Sequence, residues 1–83
     1  MLKLKFFASL REALGAADET MALSDDIATL GDLRVHLAAR GGEWRRLTEN
    51  RSLRCAVNQE MARDELGLAD GDEIAFFPPV TGG

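Results

Sequence analysis

The two glycines at the end of the sequence, Gly82 and Gly83, are the residues whose chemistry we consider first. Because glycine has no Cβ, a terminal Gly-Gly carboxylate can enter a narrow site on another protein and be attacked from either face. A frayed chain end is the alternative interpretation, since termini are often poorly ordered. The glycine pair alone does not decide between a reactive end and a frayed one.

The residues before the glycines favour a tail that enters a partner. Pro78 and Pro79 lack a backbone N–H and fix φ, so they end a strand and keep the chain extended. Val80 and Thr81 then lead to the glycine pair. Fully extended, the segment 78–83 reaches roughly 20 Å. We therefore predict a flexible C-terminal tail over residues 78–83.

Few other side chains have the types or spacing needed for chemistry. Cys55 lies among apolar residues of a predicted strand, which favours a buried, unreactive thiol over a nucleophile. His36 has no second histidine to complete a metal site, so a partly exposed helix residue is the simpler interpretation. Asp70, Asp72 and Glu73 lack the remaining ligands of a calcium loop. We predict no metal site and no bound cofactor.

Length and composition restrict the classes of function. The chain has 83 residues with 46% apolar content, enough for one small folded domain, predicted over residues 1–77. Its net charge of −4 argues against nonspecific binding to a phosphate backbone. The arginines between Arg40 and Arg54 are best explained as a solvated helix face. We expect no nucleic-acid partner.

The cysteine content and the lengths of the apolar runs indicate where in the cell the protein functions. One cysteine fits a reducing compartment, and the sequence contains no apolar run of membrane-spanning length. The alternating start of the chain is unlike a signal peptide. The prediction is a cytoplasmic protein that does not bind a membrane.

Hydrophobic periodicity and turn residues predict the elements that must position the tail. Thr29 is a predicted N-cap with Asp32 in the first turn, and Ser9 with Glu12 fits a capping box. In chain order the predicted elements are a strand over 2–8, a short helix ending at Gly15, a strand over 18–24, a main helix from Thr29 to Gly41-Gly42, a helical turn over 43–50, a strand over 53–57, a turn at Asn58-Gln59, a short strand around Met61, a 3₁₀ turn near Leu66 and Leu68, and a strand over 72–77. This order predicts an α+β fold, with a mixed sheet of four to five strands packed on one main helix.

Strand alternation predicts an exposed aromatic pair. If Phe6 and Phe76 face the main helix, their neighbours Phe7 and Phe77 must point to the opposite side of the sheet. One helix covers only one side of a sheet, so both neighbours are expected to be exposed where the tail leaves. The alternative is that the sheet curls and buries them. We predict a surface that docks a partner.

The end of the sequence, residues 68–83 with its Phe-Phe-Pro-Pro-Val-Thr-Gly-Gly run, closely resembles the C-terminal signature of the small subunit of molybdopterin synthase. The resemblance covers nearly the whole chain, although only loosely between residues 16 and 52. Other segments that carry it are Phe6-Phe7-Ala8, Arg11-Glu12, Leu33 with His36, and Val57-Asn58-Gln59. The resemblance implies the β-grasp, or ubiquitin-like, fold.

The resemblance also implies a sulfur carrier that is not an enzyme on its own. An adenylyltransferase related to ubiquitin-activating enzymes would activate the Gly83 carboxylate with ATP, and a sulfur donor protein would convert it to a thiocarboxylate. The large subunit of the synthase would then accept the tail, and the sulfur would pass to cyclic pyranopterin monophosphate. In this family two large and two small subunits form a heterotetramer. By the same resemblance, the docking surface includes Phe7, Met61 and Phe77.

Other functions remain open at this stage. Related carriers serve thiamine biosynthesis or tRNA thiolation, and others are conjugated to lysines as modifiers. A small enzyme using Cys55 or His36 and a passive binding module are two further hypotheses. The Phe-Phe-Pro-Pro-Val-Thr-Gly-Gly ending favours the molybdopterin synthase subunit.

Overall fold

The computed structural model describes residues 1–50 and 52–78, which form five strands and three α-helices joined by short turns. The elements, in chain order, are β1 Leu2–Phe6, α1 Ala8–Leu14, β2 Asp18–Met21, α2 Leu30–Ala38, a 3₁₀ turn Gly42–Arg45, α3 Arg46–Glu49, β3 Arg54–Val57, β4 Glu60–Ala62 and β5 Glu73–Phe77. None of the helices in these two ranges is long and apolar enough to cross a membrane.

The strands form one mixed sheet in the order β2-β1-β5-β3-β4. The central pair, β1 and β5, is parallel, and every other neighbouring pair is antiparallel. The predicted α+β class and the mixed sheet are therefore confirmed, with five strands at the upper end of the predicted number. Because β5 lies between β1 and β3, the chain leaves the sheet from its middle.

The core lies between one face of the sheet and α2. Alternate residues of β1 and β5 point into it, as strand geometry requires. Phe6 stacks on Phe76 with ring centroids 5.4 Å apart, and Trp44 meets Phe6 edge-on at 5.4 Å. On α2, Leu30, Leu33 and Leu37 follow the i, i+3, i+7 spacing of an amphipathic helix, and all three are buried in this core. The fully buried members are Leu2, Leu4, Leu30, Leu33, Leu37, Leu47, Ile74 and Phe76.

The start of α2 is held by its cap and by the segment after β4. Thr29 accepts a hydrogen bond from the Asp32 N–H while the Asp32 carboxylate accepts from the Thr29 N–H, which confirms the predicted cap. The Leu30 N–H donates to the Leu66 carbonyl at 2.9 Å, and the Gly31 N–H donates to the Asp64 carbonyl at 2.9 Å. A Cβ on Gly31 would lie 3.1 Å from the Asp64 Cβ, so glycine permits this close approach.

Two element boundaries near the start of the chain were predicted wrongly. The Phe7 N–H still donates to the Phe76 carbonyl at 3.2 Å, but the chain turns into α1 at Ala8, so the first strand ends at Phe6. Phe7 is the N-cap and makes no side-chain cap bond, which contradicts the predicted Ser9 capping box. The prediction that α1 ends at Gly15 is confirmed by its left-handed φ of 70°.

The second strand ends at Met21 rather than at residue 24, because Met21 pairs with the first residue of β1, Leu2. The main helix ends at Ala38, ahead of the predicted Gly41-Gly42 boundary. The predicted 3₁₀ turn near Leu66 and Leu68 is confirmed only as a single turn, in which the Leu66 N–H donates to the Arg63 carbonyl at 3.1 Å, and it does not reach Leu68. Instead the Leu68 N–H donates to the Ala28 carbonyl at 2.9 Å.

Smaller differences concern the later strands. The third strand begins at Arg54 and the last at Glu73, one residue later than predicted in each case. The helical turn over 43–50 is confirmed as the 3₁₀ turn followed by α3. The turn between β3 and β4 is also confirmed, with Asn58 and Gln59 at φ values of 52° and 71°.

Candidate functional site

The face of the sheet opposite α2, which we call the outer face, carries the predicted docking residues. Strand register places Lys5, Ala75, Ala56 and Met61 in one row across four strands. Phe77 lies in the next row, nearer the end of β5. Within the described residues no helix packs on this face, and its side chains alternate with the core residues of the same strands.

Phe7 and Phe77 form a stacked pair at the end of β1 and β5. Their ring centroids are 4.9 Å apart and their planes differ by 10°. Phe7 is 39% exposed and Phe77 is half-buried. The predicted exposure is therefore confirmed for Phe7, and burial of the pair by a curled sheet is wrong. Phe77 is more covered than predicted because Phe7 lies against it.

Met61 extends this apolar surface toward the edge of the sheet. Its side chain is 62% exposed on β4. Ala56 lies between Met61 and Ala75 in the strand register and is itself buried at 5% exposure, so the residues between Met61 and the aromatic pair are small alanines. We call Phe7, Phe77, Ala75, Ala56 and Met61 the apolar patch. Its members come from three strands and from the N-cap of α1, so the folded sheet is needed to assemble it.

Charged groups border the apolar patch. Lys5 Nζ lies 3.5 Å from Glu73 Oε1, an exposed ion pair of the kind that contributes at most about 1 kcal/mol. Arg54 lies on β3 directly opposite Phe77. The prediction that Arg54 belongs to a solvated helix face is wrong, because Arg54 is the first residue of β3. An arrangement of apolar centre and charged border is typical of protein interfaces.

The tail begins at the apolar patch. β5 ends at Phe77, and Pro78, which is half-buried, follows it directly. The chain therefore leaves from the central strand, beside the stacked aromatic pair. The remaining predicted tail residues, Pro79, Val80, Thr81, Gly82 and Gly83, lie outside the described residues.

The two side chains weighed as catalytic alternatives lie elsewhere. Cys55 is buried on the core side of β3, and burial raises the pKa of its thiol to about 11, so it is protonated at neutral pH. His36 is exposed on α2. In residues 1–50 and 52–78 no group of three or more His, Cys, Asp or Glu side chains is placed to hold a metal ion. Among these residues, neither Cys55 nor His36 belongs to a group that could hold a metal ion.

Comparisons with known proteins connect this geometry to a family. The ThiS family matches residues 4–83. The molybdopterin synthase sulfur carrier subunit of Haemophilus influenzae is 46% identical over 83 residues, covering 100% of both chains. Its counterpart of the same name in Escherichia coli is 43% identical over 83 residues, also covering 100% of both chains.

A solved structure agrees on the fold. The crystal structure of SAMP1 from Haloferax volcanii superposes with a TM-score of 0.78 at 30% identity, covering 99% of this chain and 98% of that one. The predicted β-grasp fold is therefore confirmed, as is the resemblance found from the sequence. This chain belongs to the ThiS family.

Proposed function

We propose that this protein is the sulfur-carrier small subunit of molybdopterin synthase and that its C-terminal residue, Gly83, carries the sulfur. The observation that carries the proposal is the 46% identity, over the full length of both chains, to a protein named as that subunit. The apolar patch supports it, because it surrounds the point from which the tail leaves. On its own the protein would be no enzyme, only the sulfur-donating half of a transferase.

The proposed chemistry takes place on the main-chain carboxylate. An adenylyltransferase related to ubiquitin-activating enzymes joins the Gly83 carboxylate to the AMP portion of ATP and releases pyrophosphate. A sulfur donor protein supplies sulfur at the oxidation level of sulfide, which forms a C–S bond and displaces AMP. The sulfur of the resulting thiocarboxylate forms a C–S bond to a side-chain carbon of the pterin precursor, cyclic pyranopterin monophosphate, and displaces an oxygen from that carbon. Water then cleaves the acyl–sulfur bond and restores the carboxylate.

The folded domain's part in this scheme is recognition. The apolar patch would dock on the large synthase subunit, with Phe7, Met61 and Phe77 as its anchors, and orient the tail toward that subunit's site. Aromatic side chains that become buried in an interface commonly dominate its affinity. Pro78 and Pro79 would keep the start of the tail extended, while Val80, Thr81, Gly82 and Gly83 enter the site. Two small and two large subunits would form the working heterotetramer.

The proposed setting is the cytoplasm, where ATP and a reducing environment are both present. The protein would bind no cofactor, because ATP is used by the activating enzyme. It would need neither a nucleic acid nor a membrane as a partner.

A second function has a specific observation in its favour. The structure that superposes at a TM-score of 0.78 is named SAMP1, and a second structure of the Haloferax volcanii protein is described as small archaeal modifier protein 1. A protein modifier uses the same activated C-terminus but transfers it to a lysine amine. The two functions therefore differ in what attacks the acyl adenylate: sulfide in one case and an amine in the other.

Intact-mass spectrometry tests the proposal directly. The protein is incubated with ATP, an adenylyltransferase and a sulfide source, and its mass is measured before and after. We expect a gain that equals the exchange of one oxygen for one sulfur, located at Gly83 by fragmentation. A covalent adduct to lysines of other proteins, with no such gain, would support the modifier function instead.

Three variants complete the test. Deletion of Gly83 should abolish both the mass gain and the formation of molybdopterin with the large subunit, without changing the melting temperature. Cys55→Ala and His36→Ala should retain full activity. Loss of sulfur transfer in either of these, in a folded protein, would contradict a main-chain reactive centre.

A further inference from the structure

A basic recess lies beside the apolar patch, at the end of the sheet where the tail begins. It has a volume of about 270 Å³ and lies between α2, the start of β3 and the end of β4. Arg34, Arg54 and Arg63 line it together with Asp64 and Met61. The three arginines are far apart in the sequence, so only the fold brings them together.

One of the three arginines is fixed by contacts within the domain. Arg34 Nη1 donates to Asp64 Oδ1 at 2.7 Å, and Arg34 Nε donates to the Leu47 carbonyl at 2.7 Å. Its side chain is only 15% exposed. The charge of Arg34 is therefore balanced by Asp64, which is the one acidic residue lining the recess among residues 1–50 and 52–78.

The other two arginines give the recess its positive charge. Arg54 and Arg63 are exposed, and neither makes an ion pair or a side-chain hydrogen bond within residues 1–50 and 52–78. With the charge of Arg34 balanced, the described residues that line the recess carry an excess of two positive charges. This is unlike the chain as a whole, whose net charge is −4.

The recess is continuous with the apolar patch. Arg54 lies opposite Phe77 in the register of β3 and β5, and neighbouring strands are about 4.8 Å apart. Met61 belongs to both, because it lines the recess and forms the outer end of the patch. A protein that covers the patch would therefore also cover the recess.

The chemistry of the recess fits an acidic side chain of a partner better than a small free anion. A site built for a small anion places buried, unpaired donors around it, whereas the buried donor here, Arg34, is already bonded. Within the described residues no buried side-chain nitrogen or oxygen lacks a partner. Exposed arginines at the border of an apolar surface are instead characteristic of protein interfaces.

We propose that the recess receives aspartate or glutamate side chains of the protein that accepts the tail. The inference rests on the proposed function in one respect, that a large synthase subunit is the partner. The apolar patch supplies affinity with little directional preference. Cations on its β4 side fix the rotation of the partner relative to the tail and increase the association rate.

The test is a binding measurement between this protein and the purified large subunit of molybdopterin synthase from the same organism, by calorimetry at several salt concentrations. The test variant is Arg54→Ser/Arg63→Ser. The matched control is Arg45→Ser/Arg46→Ser, which also removes two positive charges but from the 3₁₀ turn and the start of α3. Circular dichroism and melting temperature establish that both variants are folded.

We expect the test variant to raise Kd by roughly 5- to 30-fold, mainly through slower association, and to weaken its salt dependence. The control should change Kd by less than about 2-fold.

Equal Kd values for wild type and test variant would overturn the inference while leaving the proposed function intact. Saturable binding of inorganic phosphate by the free protein, lost in the test variant, would assign the recess to a small anion and also overturn it. Failure of the wild type to bind would overturn the proposed function and the inference together.

Discussion

On the face of the sheet that α2 covers, Phe6 and Phe76 are 1% and 0% exposed, whereas one residue further along the same chain segments Phe7 is 39% exposed and Phe77 is half-buried. Both pairs are stacked, with ring centroids 5.4 Å apart in the covered pair and 4.9 Å apart in the outer pair. The two pairs thus have the same chemistry and nearly the same geometry. They differ in how completely other side chains surround them.

This difference separates stability from recognition. A buried aromatic ring contributes to folding because it leaves water when the domain forms. A ring that stays partly in water in the folded monomer has much of that free energy still to gain, and it gains it when a partner covers the ring. Alternate residues of the same strands therefore have different roles: those on the covered face stabilise the fold, and those on the outer face are available to bind a partner.

The largest effect is expected from Phe76→Ala. Removing a buried phenylalanine costs about 3–5 kcal/mol, because the transfer free energy is lost and a cavity remains. A domain of this size has little stability in excess of that loss, so the variant should be largely unfolded at 37 °C. Urea titration followed by circular dichroism measures the change. Phe77→Ala, the matched change on the outer face, should cost less than about 1.5 kcal/mol, and an equal loss in both variants would remove the distinction between the faces.

The second prediction concerns binding. Phe7→Ala and Phe77→Ala should each weaken binding to the large subunit by about 2 kcal/mol, or roughly 30-fold in Kd, as expected for aromatic anchors that an interface buries. Calorimetric titration of folded variants gives the value. Val35→Ala provides the control, since Val35 is 64% exposed on the helix side of the molecule and should leave Kd unchanged. A larger effect from Val35 than from the aromatic pair would place the interface on the other face.

Most of the fold follows from short-range signals in the sequence. The alternation of Leu2, Leu4 and Phe6 determined which face is buried, and the stripe of Leu30, Leu33 and Leu37 determined how α2 packs. Strand parity also located the exposed aromatic pair. These signals succeed because each depends only on the geometry of a single element.

The errors came from interactions between distant segments. Ser9 and Glu12 fit a capping box, but the hydrogen bond from Phe7 to Phe76 fixes where the chain turns, so the N-cap is Phe7 and α1 begins two residues earlier. The basic recess could not be predicted, because Arg34, Arg54 and Arg63 meet only after β3 and β4 have paired beneath α2. The spacing of residues within a single helix or strand does not show which side chains of different elements come together.

The third prediction tests the helix that creates the covered face. Thr29→Ala removes the oxygen that accepts from the Asp32 N–H, and loss of such a cap costs about 1 kcal/mol. Urea titration should show this loss, while Kd for the large subunit stays unchanged because the outer face does not contact α2. Thr29→Ser keeps the hydroxyl and should retain most of the stability. If Thr29→Ala weakened binding by itself, the two faces would be coupled.

The smallest effect belongs to an ion pair at the border of the covered face. Arg40 Nη1 donates to Glu19 Oε1 at 2.8 Å, and a second parallel bond joins the same two groups, so that β2 is tied to the segment after α2. The guanidinium also lies 4.4 Å from the centroid of the Trp44 ring. Hydrogen bonding to Arg40 lowers the pKa of Glu19 below its ordinary value of 4.5, and partial burial opposes this only in part.

Because the folded state prefers the ionised carboxylate, the contribution of Glu19 to stability is complete above pH 4.5 and is lost as the pH falls through the lowered pKa. Both side chains are about a third exposed, so solvent screening limits the contribution to about 0.5 kcal/mol. Glu19→Gln should therefore be less stable than wild type at pH 7 by about this amount, and the two proteins should converge as the pH falls below the lowered pKa of Glu19. Other carboxylates with lowered pKa, such as Asp32, affect both proteins equally and cancel in the difference. A difference that grew as the pH fell would mean that Glu19 is protonated in the fold, and the ion pair would then have no part in holding β2 to the helix layer.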